Sequence, residues 1–528
     1  TGDGKVIDVI VWGRITEIIS SNDFLPNEAT KELTEENINI QDTILPLTKN
    51  DSICMVTNLG YTRNQVGQKM LLLPINYPVA PGGTIKYPAK KDLASLLNSE
   101  MNSKNPILIG KLVAREDIDV FVSADNMVSR HVLVIGMTGS GKSVATRRLM
   151  RELMHKDYPI LIIDPHGDYL GIVKQAKKLF PKHQIKLFYP KISAPSNNKE
   201  VIFALIEKLG KKLTDPQYDF LNWLLDNIPY ESGQNLMDYI NVLIDRANTA
   251  AANKRNKSSG GMNGIGNTGA TTMGVVARSL RVVQSKLKKM EKDNKENMEK
   301  FPHLKFEELP DSFSQPENII SKSQVSILYL KGYESLPSST IVSILLENLF
   351  NHRSAGNKTI PPFFTIVEEA QNFIPSRAEG QDGYPSVETI KKISTEGRKF
   401  GVGLMIVTQR PYKLDETVCS QMNSYIILRL KNERDQRFVK NTMENWDDEV
   451  ARQLPNFANG QGIVSGQITN LPLTVKIKFD ADLVNSELGD EDFINDVQNW
   501  KESEKTKKKK GFYKNFEKIF QSDQRKPN

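Results

Sequence analysis

The sequence predicts an α/β protein built on a parallel sheet, with a small β-barrel before the sheet and a helical subdomain inserted within it. Three observations predict this fold. Apolar strand patterns alternate with helical patterns from residue 131 onward, which is typical of βαβ units. A glycine-rich segment, Gly136–Ser143, stands between the first of these strands and its helix. Another apolar strand, Phe363–Val367, ends in two adjacent carboxylates, Glu368 and Glu369.

The first 115 residues are predicted to form the barrel. Several short β-rich runs are separated by Gly, Pro and Asn clusters, and no long helical period interrupts them. These runs are Val6–Trp12, Ser52–Asn58, Lys69–Pro74 and Pro106–Val113.

The parallel sheet is predicted from two stretches of chain, 116–200 and 321–480. Its strand candidates are His131–Gly136, Pro159–Ile163, Val325–Leu330, Phe363–Val367, Val402–Val407 and Tyr425–Leu430. Residues 201–320 show helical periodicity instead, which indicates the inserted subdomain. Within it, Ala250–Gly269 is rich in Asn, Gly, Ala and Ser, so we expect a mobile loop that carries Lys254, Arg255 and Lys257.

Composition and charge exclude several classes of protein. The 528 residues are 39% hydrophobic and 25% charged, which is typical of a globular protein of about three domains. No apolar run reaches the roughly 18–20 residues of a membrane span, and the two cysteines, Cys54 and Cys419, cannot build a disulfide framework. We therefore expect a cytoplasmic protein without a membrane segment.

The excess of positive charge, a net +7, lies mainly in residues 501–528, within the predicted carboxyl-terminal tail, residues 481–528. Residues 501–528 contain ten Lys/Arg against four Asp/Glu, which leaves a net charge of +1 for residues 1–500. If this protein binds DNA, it must do so through local basic patches.

The glycine-rich segment has the residue type that a phosphate-binding loop needs at each of its eight positions. These are Gly136, Met137, Thr138, Gly139, Ser140, Gly141, Lys142 and Ser143, followed by Val144. Glycines let backbone N–H groups turn toward an anion, the lysine adds a positive charge at the β- and γ-phosphates, and the serine hydroxyl reaches Mg²⁺. The preceding strand and following helix are the context that this loop requires. The segment predicts a nucleoside triphosphate site.

The carboxylate pair supplies the acids that such a site needs. Glu368 is assigned to the Mg²⁺ shell and Glu369 to polarising the attacking water. An alternative is a solvated acidic pair at a helix start, where acids interact favourably with the helix dipole.

A further strand, Val402–Val407, ends in Thr408, Gln409 and Arg410. Gln409 can contact the γ-phosphate and report its loss. A strand of this kind beside the acid-bearing one indicates an additional-strand (ASCE) P-loop NTPase core, and no guanine-reading motif follows the loop, so ATP is expected. Arg398 and Arg410 are both candidates for an arginine that acts on a neighbouring subunit's nucleotide, and their spacing does not decide between them.

Five segments together resemble the HerA family of the HerA/FtsK superfamily of hexameric DNA-pumping ATPases. In chain order they are Gly136–Ser143, Ile162–Tyr169, Ile366–Phe373, Glu396–Gly401 and Val407–Pro411. The resemblance covers roughly residues 1–480. It implies an amino-terminal barrel, an NTPase core with a helical insertion, and a six-fold ring around double-stranded DNA.

The resemblance also implies roles for individual residues. Glu369 would be catalytic, Gln409 the sensor and Arg398 the favoured trans-acting arginine, while Arg130 lies where some relatives carry a second one. Asp164 and His166 end a core strand, where ligands collect in α/β sheets, but a structural role is equally open. Basic residues that could line the pore, each repeated six times in a ring, are Arg377, Lys254, Arg255 and Lys257.

Three functions remain open at this stage. The first is an ATP-driven translocase or helicase on duplex DNA that works with a partner effector, such as a NurA-like nuclease, docked on the barrel. The second is an ATP-regulated ring that serves as a platform for an antiphage effector, either a sirtuin-like NADase or a nuclease. The third is an FtsK- or conjugation-type DNA pump, which the expected lack of a membrane span disfavours.

Overall fold

The computed structural model describes these residues: 9–21, 51–63, 72–75, 82–98, 105–192, 203, 205–206, 209, 213–230, 236–256, 268–356, 358–379, 384–443, 451–469 and 471–483. They form one 12-stranded sheet with helices on both faces, and a separate two-stranded antiparallel ribbon. The basic tail beyond residue 483 and the predicted pore-loop residue Lys257 lie outside the described residues. No described helix has both the length and the apolar character to cross a membrane.

The ribbon consists of β1 (Val9–Ser21) and β2 (Asp51–Arg63). The strands of the large sheet are β3 Pro106–Leu112, β4 Arg115–Ser123, β5 Val132–Ile135, β6 Ile160–Asp164, β7 Gln184–Tyr189, β8 Phe306–Glu308, β9 Gln324–Tyr329, β10 Phe363–Val367, β11 Val402–Thr408, β12 Ser424–Leu428, β13 Gln461–Gly466 and β14 Leu473–Ile477. Their order across the sheet is β4-β3-β14-β13-β12-β5-β11-β10-β6-β9-β7-β8.

The helices are α1 Lys90–Asn98, α2 Ala124–Arg130, α3 Lys142–Met154, α4 Leu170–Leu179, α5 Asp215–Asn227, α6 Leu236–Arg255, α7 Ala270–Lys300, α8 Ser335–Ser354, α9 Ser386–Phe400, α10 Glu416–Ser420 and α11 Glu433–Thr442. On one face of the sheet, buried residues of α2, α3 and α4 share a core with β5, β6 and β11. On the other face, α5 to α9 pack into a second core with the same strands. Every residue of β5, β10 and β11 is buried, as expected for strands covered on both faces.

Strand β11 lies between β5 and β10 and pairs in parallel with both. It is therefore the additional strand between the strand before the glycine-rich loop and the strand that ends in the carboxylate pair. The parallel part of the sheet runs from β12 to β8, and β13, β14, β3 and β4 extend it with antiparallel pairs. The predicted α/β class with an additional-strand core is confirmed.

The predicted boundary at residue 115 is too late in the chain. It falls at the first residue of β4, which pairs with β3, and β3 pairs in turn with β14 near the other end of the described chain. Ile107 and Ile109 are fully buried in the main core, which explains why β3 joins the large sheet. Of the predicted barrel strands, the described residues show the β1–β2 ribbon and a bridge between Tyr61 and Leu73. The barrel itself stays a prediction.

The described part of the predicted insertion contains the helices α5, α6 and α7, and α6 is longer than expected. Lys254 and Arg255 occupy the last turn of α6 instead of a mobile loop. Ala250 and Ala251 are buried in the core beside the sheet, so packing extends the helix through a segment whose composition suggested a loop. The insertion ends before β8, which pairs with β7 at the sheet edge.

Candidate functional site

A cleft of about 670 Å³ opens above the carboxyl ends of the central parallel strands, a size typical of ligand sites. Ten residues that the sequence singled out line it: Thr138, Gly139, Gly141, Lys142, Ser143, Val144, His166, Glu368, Glu369 and Gln409. They come from the loop after β5 and from the ends of β6, β10 and β11. Six further residues complete the lining: Asp168, Asn459, Gly460, Lys476, Ile477 and Phe479.

The glycine-rich loop depends on glycine at two positions in particular. Gly139 has φ +73° and Gly141 has φ +106°, a region that side-chain-bearing residues rarely adopt. A Cβ on Gly141 would also lie 3.0 Å from the Cα of Gly460, so two backbones approach closely there. The Gly460 N–H donates to the Ser140 carbonyl at 2.8 Å and fixes this approach. The loop therefore meets α3 in the shape that presents N–H groups to an anion.

Lys142 is the first residue of α3 and is 9% exposed. Its Nζ donates to the Met137 carbonyl at 3.3 Å, within the loop itself. Burial lowers the pKa of the Lys142 ammonium. The carboxylates of Glu369, Glu368 and Asp168 oppose that effect, and the negative charge of a bound triphosphate would act in the same direction as they do. The ammonium is thus placed where phosphate charge favours it.

Glu368 is 5% exposed and accepts a hydrogen bond from the Tyr169 hydroxyl at 2.5 Å. Burial raises the pKa of the Glu368 carboxyl from 4.5 to about 8, although the Tyr169 hydrogen bond acts in the opposite direction. The nearby charges of Asp164, Asp168 and Glu369 add to the increase. A cation in the cleft would favour the ionised form of this carboxyl.

Replacing Glu368 with glutamine is expected to change how stability depends on pH. Without ligands, the folded chain holds the Glu368 proton up to about pH 8, whereas the unfolded chain loses it near 4.5. Stability therefore falls across this window as pH rises, by at most about 1.4 kcal/mol per pH unit. Glu368→Gln removes that loss, so its unfolding midpoint should exceed that of wild type by more at pH 8 than at pH 5. Thermal unfolding without nucleotide measures this, with exposed Glu396→Gln as the control; equal shifts at both pH values would contradict it.

Glu369 follows Glu368 in a left-handed conformation, with φ +44° and ψ +52°. This backbone turn takes the chain out of β10, so that both acids reach the cleft. The carboxylate of Glu369 accepts a hydrogen bond from Gln371 Nε2 at 2.6 Å, and Gln371 Oε1 accepts one from the Thr408 hydroxyl at 2.7 Å. This chain of hydrogen bonds holds Glu369 against the end of β11.

Gln409 links the end of β11 to the phosphate-binding loop. The Thr138 hydroxyl donates to Gln409 Oε1 at 2.5 Å. Both residues line the cleft, so this bond places Gln409 directly against the loop. The position fits the predicted sensor role, which stays a prediction.

Asp164 is fully buried at the end of β6, and its carboxylate organises the turn that follows. Its oxygens accept hydrogen bonds from the backbone N–H groups of His166, Gly167, Asp168 and Tyr169 at 2.7–3.2 Å. The turn places His166 and Asp168 in the cleft and Tyr169 on Glu368. These hydrogen bonds favour the structural alternative for Asp164, whereas His166 lines the cleft.

The remaining candidates lie outside the cleft. Arg398, in the last turn of α9, and Arg410, after Gln409, are both exposed, and Arg130 is half-buried at the end of α2. Arg377 is exposed in a short turn of 3₁₀ helix, and so are Lys254 and Arg255 at the end of α6. Their predicted roles involve DNA or a neighbouring subunit and stay predictions.

The donor set of the cleft fits a nucleotide with Mg²⁺. The Ser143 hydroxyl and the Glu368 carboxylate line the same cleft, and Mg²⁺ prefers one or two such oxygens together with phosphate oxygens and water. The described part of the chain contains no cluster of three His, Cys, Asp or Glu side chains that could hold a metal ion. Ser140 does not line the cleft, and its buried hydroxyl has no hydrogen-bond partner among the residues that the structure describes.

The sequence did not predict the part of the cleft that residues 459–479 form. Asn459 and Gly460 precede β13, and Lys476, Ile477 and Phe479 belong to β14 and the residues after it. These segments carry no recognisable motif apart from the Asn-Gly pair. Asp168 and Tyr169, by contrast, stand inside the Ile162–Tyr169 segment and could have been found from their place directly after Asp164.

Comparison with known proteins agrees with the sequence resemblance. Residues 107–349 match the family model described as the central domain of the helicase HerA. A probable helicase of Methanocaldococcus jannaschii is 27% identical over 88% of this chain and 87% of its own length. The DNA double-strand break repair helicase HerA of Pyrococcus furiosus is 25% identical over 77% of this chain and 74% of its own. The structure of VirB4 of Thermoanaerobacter pseudethanolicus is similar at 13% identity and a TM-score of 0.48, over 72% of this chain and 98% of that one.

The family match and the geometry of the cleft point to the same class of enzyme. The matched residues contain the phosphate-binding loop and the Asp164 turn, and the chain also supplies the two carboxylates and Gln409 at the same cleft. Residues 107–349 therefore carry the HerA central domain, most of the chain is similar to proteins named as HerA helicases, and the chain is an ATP-binding P-loop ATPase.

Proposed function

We propose that this chain is an ATP-driven translocase that moves on or unwinds double-stranded DNA as a six-fold ring, with Mg²⁺ as its metal. The observation that carries the proposal is the cleft, where the phosphate-binding loop, two carboxylates and Gln409 converge on an additional-strand sheet. The relatives in Pyrococcus and Methanocaldococcus that are named as DNA double-strand break repair helicases point to DNA as the track.

Within the cleft, each residue has a distinct task. The loop amides and Lys142 would bind the phosphates, and Ser143 with Glu368 would hold Mg²⁺, which neutralises phosphate charge. Glu369, fixed by Gln371, would orient and polarise the attacking water, and Gln409 would respond to loss of the γ-phosphate. The exposed Arg398 would reach a neighbouring subunit's nucleotide.

The link from nucleotide to DNA would run through the segment after Glu369. This segment leaves the site at Gln371 and reaches the exposed Arg377 within six residues. Its backbone is tied to the residues after β11, because the Ser376 N–H donates to the Lys413 carbonyl at 2.7 Å and the Asp415 N–H donates to the Ile374 carbonyl. Changes at Gln409 and Glu369 can therefore reach Arg377 from two sides.

A partner effector completes the proposal. A nuclease docked on the amino-terminal region would act on the DNA that the motor delivers, whereas a docked NADase would fit the platform. In the competing interpretation, the ring is a platform that ATP only regulates.

Two measurements on the full chain separate the motor from the platform. ATPase activity is measured with and without duplex DNA, and translocation is followed by displacement of a triplex-forming strand from that duplex. A motor predicts DNA-stimulated turnover and ATP-dependent displacement. ATP turnover that duplex DNA does not stimulate, together with no displacement of the triplex-forming strand, would refute the proposed function and favour the platform.

Arg377→Ala is expected to weaken DNA binding and to make it less dependent on salt. Each phosphate contact contributes about −0.9 to the slope of log affinity against log salt concentration for duplex DNA, so losing one should flatten the slope by about one unit per engaged subunit. Fluorescence anisotropy of a labelled duplex between 50 and 200 mM salt, about the range over which such contacts are resolved, gives the slope. Lys182→Ala, at another exposed cation, is the matched control. An unchanged slope for Arg377→Ala would show that this residue does not contact DNA.

A further inference from the structure

We propose that Phe479, together with Ile477, forms the nucleobase-binding part of the cleft, with Phe479 stacking on the base of the bound nucleotide. This inference rests on the proposed ATP site and extends it to the nucleoside. The sequence and the family resemblance assigned no residue to this part of the ligand.

The order of the strands in the sheet indicates which way a bound nucleotide extends across the cleft. Relative to β5 and its phosphate-binding loop, β11 and β10 lie on one side, and these strands bring Gln409, Glu368 and Glu369. The γ-phosphate must lie on that side, because the groups that act on it are there. On the other side lie β12, β13 and β14, and the cleft continues there along Gly460, Ile477 and Phe479. The nucleoside is therefore expected to extend toward Phe479.

The backbone on both sides of Phe479 is held in place. The Ile477 N–H donates to the Gly460 carbonyl at 2.8 Å, and the Lys478 N–H donates to the Ile109 carbonyl at 3.0 Å. On the following residue, the Asp480 carboxylate accepts from Arg148 Nη1 at 3.0 and 3.1 Å. These bonds tie Phe479 to the Gly460 turn, to β3 and to α3, so its position relative to the phosphate-binding loop is fixed.

Arg148 restrains the segment that contains Phe479 through several hydrogen bonds. It lies in α3, six residues after Lys142, and its side chain is 4% exposed. Its Nε donates to the Leu108 carbonyl at 2.7 Å, and Nη2 donates to Glu152 at 2.5 Å. A buried guanidinium that binds α3, β3 and Asp480 at once leaves the segment of Phe479 little freedom.

Despite this fixed backbone, Phe479 is 59% exposed. A large apolar ring that is carried on a fixed backbone beside a ligand cleft, and is not buried, is suited to cover a flat ligand surface. Nucleobases present such a surface, and stacking on an aromatic ring adds affinity without selecting one base. Ile477 provides an apolar neighbour for the same surface.

The test compares two ligands that differ in the presence of a nucleoside. Calorimetric titration of the full chain with Mg²⁺ and either a non-hydrolysable ATP analogue or inorganic triphosphate gives both affinities. Phe479→Ala is expected to weaken binding of the ATP analogue about tenfold, within the range of base–aromatic stacking, and to change binding of triphosphate less than about twofold. Phe313→Ala, at another exposed phenylalanine (49% exposed), should change neither affinity.

Phe479→Trp provides a second readout, because it keeps an aromatic face. Its fluorescence should be quenched by the ATP analogue and not by triphosphate. The inference is overturned if Phe479→Ala binds the ATP analogue as wild type does, or if it loses both ligands equally, since the residue would then shape the loop and not bind the base. Failure of wild type to bind triphosphate at all would instead refute the proposed ATP site, and this inference with it.

Discussion

Lys142→Ala is expected to abolish ATP hydrolysis, lowering kcat/KM by at least about 10³-fold, a loss typical of removing a group that stabilises transition-state charge. The ammonium stands at the start of α3, inside the loop that would carry the phosphates, and Glu368 and Glu369 lie close enough to affect its pKa. No other lysine that lines the cleft belongs to this loop, because Lys476 comes from β14. Phosphate release assays at saturating DNA measure the loss.

The fold should survive this change. Burial already disfavours the charged form of Lys142 in the absence of ligand, so removing the ammonium relieves a penalty. Lys142→Met is the matched variant, because it keeps most of the apolar stem and deletes only the charge. Both variants should elute like wild type in size-exclusion chromatography with light scattering and should unfold at a similar temperature. Turnover near the wild-type rate in either one would show that phosphate does not bind at this loop.

The sequence could predict the loop side of the site because its parts are contiguous. Gly136–Ser143 contains strand end, anion-binding turn and helix start in eight positions, and Glu368 and Glu369 directly follow an apolar strand. Parallel strands place their carboxyl ends at one edge of a sheet, so motifs at those ends meet without further information. Gln409 also follows one of these strands, so the same rule predicted that it would lie at this edge of the sheet.

The other side of the site could not be predicted, because it depends on pairing between distant segments. Gly460 and Phe479 reach the loop through β13 and β14, which join the sheet by antiparallel pairing beside β12. Nothing in these short strands specifies which strand they will pair with. The misplaced boundary at residue 115 has the same cause, since Gly110 of β3 pairs with Ile477 of β14.

Tertiary packing also overrode local composition in α6. The stretch that begins at Ala250 resembles a loop by its content of Asn, Ala and Gly. Alanine is nevertheless the best helix former, and the burial of Ala250 and Ala251 extends the helix to Arg255. Lys254 and Arg255 therefore project from a helix end, which gives them a more defined position than a loop would.

Glu369→Gln is expected to bind ATP with near wild-type affinity and to hydrolyse it about 10²–10⁴ times more slowly, the range that general acid–base groups contribute. The amide keeps the shape of the carboxylate and can still accept from Gln371 through its oxygen, so the left-handed turn after β10 should persist. What it loses is the negative charge that polarises water. Calorimetric titration with ATP and single-turnover hydrolysis measure the two properties separately.

Glu368→Gln is the informative comparison for this variant, because the two acids are adjacent but bonded to different partners. Glu368 is held by Tyr169 and Glu369 by Gln371. If Glu368 binds the metal, its glutamine variant should need more Mg²⁺ for half-maximal activity, whereas Glu369→Gln should stay slow at any Mg²⁺ concentration. Normal turnover in Glu369→Gln would assign the water-activating role to another residue. A Glu369→Gln defect that excess Mg²⁺ rescues would exchange the roles of the two carboxylates.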